Sequence, residues 1–119
     1  MFVAWFNAYP GGCCNGNFGV ATSPNGTHFT IVSLNTTGKY PLVDGNALFV
    51  DDDGTAYMIY SSIQENHQIS IEKLTPDYLQ STYENYGFFP DTYVEGATLF
   101  KRNGIYYGML LLPIVFNIL

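Results

Sequence analysis

Leu48-Phe49-Val50-Asp51-Asp52-Asp53-Gly54-Thr55-Ala56-Tyr57-Met58-Ile59-Tyr60 reads as strand, tight turn, strand. Large apolar and aromatic residues flank Asp-Gly, and Asp followed by Gly adopts the positive φ that tight hairpin turns require. The device recurs downstream, where Leu99-Phe100-Lys101-Arg102-Asn103-Gly104-Ile105-Tyr106-Tyr107 sets Asn-Gly between extended flanks. A third copy lies upstream in Thr22-Ser23-Pro24-Asn25-Gly26-Thr27-His28-Phe29-Thr30. Between these turns, glycine, proline or Asn-Gly interrupts nearly every window in which helical apolar spacing would show. The expected class is all-β, built of antiparallel hairpins over residues 46–61 and 96–110, with Asp53-Gly54 and Asn103-Gly104 at the turns.

The spacing of Gly26, Gly54 and Gly104 suits a repeated unit. A four-stranded propeller blade takes roughly 40–50 residues. A sandwich of hairpins is the rival, and periodicity alone does not separate the two. Gln68–Leu74 alternates as a strand, Thr75-Pro76-Asp77-Tyr78-Leu79 reads as a turn, and Gln80–Tyr93 as a long connecting loop.

The chain has 119 residues, enough for one domain at most, and its apolar fraction of 47% excludes disorder. A formal charge of −6 repels a phosphate backbone, so no nucleic-acid partner is expected. No apolar run reaches the roughly 18 residues of a membrane span, so no membrane partner is expected either. The adjacent pair Cys13-Cys14 makes neither a disulfide framework nor a four-ligand zinc site, and reads as buried thiols. Met1–Phe6 is apolar but lacks a preceding Lys or Arg, so no signal peptide is readable. The sequons Asn25-Gly26-Thr27 and Asn35-Thr36-Thr37 would accept glycans in a eukaryotic secretory route.

Among groups that carry chemistry, carboxylates come first, because an acidic, aromatic-rich β-protein suits carbohydrate. Asp44 and Glu95 each stand just before an expected strand, at matching places in successive hairpins, and would open onto one rim. Glycosidases need such a pair: one protonated acid to donate to the leaving oxygen, one carboxylate to tune it or activate water. The alternative is that both acids cap turns. Glu65, Glu72, Asp77, Glu84 and Asp91, which lie between the two, are expected in turns and surface loops. Asp51-Asp52-Asp53-Gly54 lacks the ligand order of an EF-hand and reads as a solvated turn. His28 and His67 have no acid or cysteine at metal spacing and read as exposed turn residues, so neither a metal nor a cofactor is expected. Trp5, Tyr9 and Tyr93 are candidates to face a groove.

Two strings carry a family resemblance. Val43-Asp44-Gly45-Asn46-Ala47-Leu48-Phe49-Val50-Asp51-Asp52-Asp53-Gly54 and Val94-Glu95-Gly96-Ala97-Thr98-Leu99-Phe100-Lys101-Arg102-Asn103-Gly104-Ile105-Tyr106-Tyr107 resemble glycoside hydrolase family 43, over residues 17–108. The resemblance implies a five-bladed β-propeller with a central carboxylate site and inverting hydrolysis of O-glycosidic bonds in arabinan, xylan or galactan. By it, Glu95 matches the general acid and Asp44 the carboxylate that raises the acid's pKa. Three departures stand out: Gly96-Ala97 replaces the family's Ala-Pro, no Asp or Glu precedes Asp44 to serve as base, and residues 110–119 leave the pattern as an apolar tail, which an open propeller segment would leave uncovered. Five blades need roughly 200 residues or more. The expectation for 1–119 is therefore an incomplete domain of two to three blades, inactive alone, from a secreted or extracellular parent acting on polysaccharide or oligosaccharide. A non-catalytic sugar-binding fragment and a β-domain serving assembly only are the alternatives.

Overall fold

The computed structural model describes residues 1–8, 16–90, 93–110 and 115–117. Tyr9, Cys13, Cys14, Asp91 and most of the apolar tail lie outside the described residues. The described chain forms three antiparallel sheets. The first has strands β1 (Phe2–Ala8), β2 (Asn17–Ser23) and β3 (Thr30–Thr36) in that order. The second is a meander of β4 (Val43–Val50), β5 (Ala56–Ser62), β6 (Gln68–Leu74) and β7 (Ser81–Phe88). The third comprises β8 (Thr98–Arg102), β9 (Ile105–Met109) and β10 (Val115–Asn117), with β9 central. One 3-10 turn, Ile63–Glu65, is the helical structure among the described residues, and no described helix is long and apolar enough to cross a membrane.

The turn residues account for the hairpins. Arg102 pairs with Ile105, leaving Asn103 (φ 52°) and Gly104 (φ 76°) as a two-residue turn with both positions left-handed. That conformation matches the strand twist and favours Asn-Gly. At the second hairpin, Gly54 (φ 83°) donates to the Asp51 carbonyl at 2.9 Å, while Asp51 donates to Thr55 across the loop at 2.9 Å.

The middle sheet is covered on both faces, which explains why β5 reads as an almost unbroken apolar run rather than an alternation. Met58 and Tyr60 pack on Trp5, Phe18 and Val20 of the first sheet; Phe18 meets Trp5 and Tyr60 edge-on at centroid distances of 5.7 and 5.3 Å. Ile59, with Ile69 and Ile71, packs the other way onto Val94 and Leu110. Fully burying such a side chain stabilises by about 1.5–3 kcal/mol. The leading strands β1, β4 and β8 lie side by side without sharing a ladder, and Asn46 Nδ2 donates to the Trp5 carbonyl at 3.3 Å across the first gap.

Four expectations are corrected. Gln80–Tyr93 is not one long loop: β7 occupies Ser81–Phe88. It is an edge strand, mostly exposed on both faces, so no apolar alternation marks it. Glu72 is not a surface acid but fully buried in β6. Its carboxyl accepts hydrogen bonds from the Lys39 backbone N–H (3.0 and 3.1 Å), Tyr60 (2.8 Å), Asn85 (2.7 Å) and Ser81. These donors satisfy a group that would otherwise be costly to bury. Trp5 faces no groove; it is 7% exposed and its indole N–H donates to the Tyr78 carbonyl at 2.7 Å. The apolar tail is not left uncovered throughout: Leu110 is buried and β10 pairs with β9.

Candidate functional site

Asp44 is the second residue of β4, directly opposite Ser61 on β5. The ladder then slips by one residue, with Gly45 (φ 52°) forming a bulge before Asn46 pairs with Tyr60. Bulges bend a strand and re-aim side chains; this one separates the carboxylate from the packed part of β4. Glu95 stands in the extended segment before β8, between Tyr93 (φ 42°) and Gly96 (φ 64°). A left-handed Gly96 gives glycine in place of the family's alanine a physical reason, since alanine takes positive φ only at a cost. A Cβ on Gly45 would come 3.9 Å from the Gly96 nitrogen, which marks how closely the two loops approach.

The structure brings both sequence-predicted acids together. An oxygen of Asp44, an oxygen of Glu95 and a ring nitrogen of His67 all lie within 4.8 Å of one another, with both acids partly exposed and His67 buried. Among the described residues this is the one grouping of three potential metal ligands. His67 Nδ1 is engaged within it, 3.3 Å from Glu95 Oε1 and 3.2 Å from Ser61 Oγ.

His67 is the residue that sequence reading misplaced. It is not an exposed turn residue but 8% exposed, whereas His28 does lie exposed on its turn. The 3-10 turn and two consecutive left-handed residues, Asn66 (φ 52°) and His67 (φ 56°), fold the imidazole back toward β5. Tyr93 packs against it, tilted by 31° at a centroid distance of 4.0 Å, and is 59% exposed. The Tyr93 phenol hydrogen-bonds Glu95; that bond, then the charges of Glu95 and Asp44, hold its pKa above the ordinary tyrosine value. No local signal in the sequence joins His67 to Glu95, because the link runs through the β5–β6 connection and the segment preceding β8.

The Asp51-Asp52-Asp53-Gly54 turn is a separate, structural cluster. Lys101 Nζ bridges Asp51 (2.7 Å) and Asp52 (2.8 Å), and the Tyr106 hydroxyl donates to Asp51 at 2.5 Å. These partners hold the Asp51 carboxyl down at about 2. A cavity of about 370 Å³ between the second and third sheets opens at this end, lined by Phe49, Tyr57, Tyr86, Phe88, Leu99 and Tyr106.

A β-D-galactofuranosidase of Aspergillus niger is 33% identical over an alignment covering 66% of this chain and 28% of that protein. The solved structure of a family 43 β-1,3-galactosidase superposes with a TM-score of 0.81 at 25% identity, covering 91% of this chain and 23% of the other. An exo-β-1,3-galactanase from Clostridium thermocellum superposes at 0.73 and 25% identity, over 91% of this chain and 26% of the other. The chain thus spans about a quarter of the length of these relatives. The family model for glycosyl hydrolases family 43 matches residues 2–110, extending past the quoted motifs to take in β1, and the chain belongs to that family.

Proposed function

We propose that these residues form part of the catalytic β-propeller of a glycoside hydrolase, with Glu95 as general acid and Asp44 as the carboxylate that modulates it. The observation carrying this reading is the approach of an Asp44 oxygen and a Glu95 oxygen to within 4.8 Å beside the exposed Tyr93. An inverting acid and base hold a water between carboxyls roughly 6.5–9.5 Å apart. One oxygen of Asp44 lies within 4.8 Å of one of Glu95, close enough for the Asp44 charge to act on the acid. In this reading β4–β7 is one four-stranded blade, β1–β3 and β8–β10 belong to its neighbours, and the side-by-side strands β1, β4 and β8 line the axis of a five-bladed propeller.

The substrate is a glycan of the arabinan, xylan or galactan class, cleaved at an O-glycosidic bond. The names of the relatives favour galactose at the cleaved end. Glu95 donates its proton to the glycosidic oxygen as that bond breaks, and the exposed ring of Tyr93 offers a face for the sugar. The base comes from elsewhere in a parent protein acting outside the cell, since no Asp or Glu precedes Asp44. The 119 residues alone are expected to give no turnover.

The test uses the parent protein and an unactivated β-linked galactobiose. Glu95→Gln and Asp44→Asn each lose most turnover while calorimetry records undiminished sugar binding. Turnover unchanged in Glu95→Gln removes Glu95 from the mechanism. The alternative of a non-catalytic sugar-binding fragment predicts binding with no hydrolysis even before substitution.

A further inference from the structure

We propose that His67 is the positioning residue of the acid: through an Nδ1–H shared between Ser61 and Glu95, it holds the Glu95 carboxyl in the orientation that meets the leaving oxygen. This inference rests on the assignment of Glu95 as acid made above. The hydrogen-bond pattern fixes the direction of each donor. Ser61 has one hydroxyl proton, and it goes to the Val94 carbonyl at 2.8 Å. Ser61 Oγ can therefore only accept from His67, 3.2 Å away, which places the imidazole proton on Nδ1. The same proton faces Glu95 Oε1 at 3.3 Å. Which ring nitrogen carries the proton is set by the partners of the ring, and here both partners of Nδ1 are acceptors.

The backbone of His67 serves the same end. Its carbonyl accepts from the Val94 N–H at 3.0 Å, and its own N–H donates to the Ser62 carbonyl at 2.9 Å. His67 thus grips Val94 by its main chain and Glu95, the next residue, by its side chain. The ring is held in turn by burial and by Tyr93 at 4.0 Å. Two consecutive non-glycine residues in the left-handed region are an energetic cost that surroundings must hold in place, and such cost concentrates at functional sites. A structural histidine would satisfy Ser61 and the backbone alone; this one also reaches a partly exposed carboxylate at the mouth of the site.

Two measurements on the parent protein test the proposal. Long-range ¹H–¹⁵N spectra of histidine-labelled protein, at a pH where the ring is neutral, should show His67 protonated on Nδ1; protonation on Nε2 overturns the proposal, and this reading needs no variant to fold. Kinetics then compare His67→Ala, His67→Asn and Glu95→Gln on alkyl and dinitrophenyl glycosides. His67→Ala should lower kcat roughly ten- to hundredfold on the alkyl glycoside with KM unchanged, since misplacing a reacting group by about 1 Å costs up to that much. The loss should shrink on the dinitrophenyl glycoside, whose departure needs no proton. His67→Asn, whose amide N–H replaces Nδ1–H, should restore most of the rate. Equal losses on both leaving groups, no loss, or no recovery with Asn overturn the inference while leaving an impaired Glu95→Gln, and so the acid, in place. A fully active Glu95→Gln overturns both.

Discussion

The hydroxyl of Ser61 reaches the carbonyl oxygen of Val94 at 2.8 Å, joining β5 to the residue immediately before Glu95. Both residues are buried, so the carbonyl has no water to turn to if the hydroxyl is removed. Ser61→Ala should destabilise the fold by about 1–3 kcal/mol, the cost of stranding a buried acceptor. Urea unfolding measures this; a loss below experimental error would mean that the segment before β8 is held by other contacts.

Glu72 secures the passage from the first sheet to the second. Gly38 lies so close that a Cβ there would fall 2.6 Å from Glu72 Oε1, and the next residue, Lys39, donates its N–H to the carboxyl. Glu72→Ala leaves the donors of Tyr60, Ser81, Asn85 and Lys39 without their shared acceptor and should cost about 3 kcal/mol or more. Tyr60→Phe removes one donor and should cost about 1 kcal/mol from the lost hydrogen bond. Comparable losses in the two variants would show that the carboxyl is not the hub of the network.

Asp51 provides a pH-dependent contribution with a definite sign. Lys101 and Tyr106 lower its pKa from 3.8 to about 2 in the folded chain. A depressed carboxylate stabilises the fold above its unfolded pKa and loses that contribution as pH falls through the folded value. Thermal melts of wild type and Asp51→Asn should therefore differ above pH 4 and converge between pH 3.8 and about 2. The raised pKa of Lys101 adds the opposite limb, lost as pH rises beyond the ordinary lysine range. A gap between the melts that is constant down to pH 2 would contradict the pairing.

Local chemistry made the hairpins legible: Asp53-Gly54 and Asn103-Gly104 specify turns whatever surrounds them. Asp44 and Glu95 were legible because each lies near the start of a recognisable strand, Asp44 as the second residue of β4 and Glu95 just ahead of β8. β7 was not, because an edge strand exposed on both faces carries no period-two signal. His67 and Glu72 escaped for a related reason. Their burial depends on partners brought by other strands, such as Glu95 for one and Lys39 and Asn85 for the other, and nothing within their own windows announces it. Trp5 shows the converse, an aromatic residue whose composition suggests sugar stacking and whose indole is spent on the core.

The dependence of rate on leaving-group pKa tests most directly whether Glu95 is the proton donor. With kcat/KM measured on a series of aryl glycosides from dinitrophenol to phenol, the wild-type parent protein should show a shallow slope, because a donated proton relieves the charge on the departing oxygen. Glu95→Gln should approach wild type on the dinitrophenyl substrate and fall increasingly behind as the leaving group weakens, giving a steep slope. Two parallel lines, with Glu95→Gln reduced by the same factor for every leaving group, would contradict a proton-donating Glu95 and with it the catalytic reading of the site.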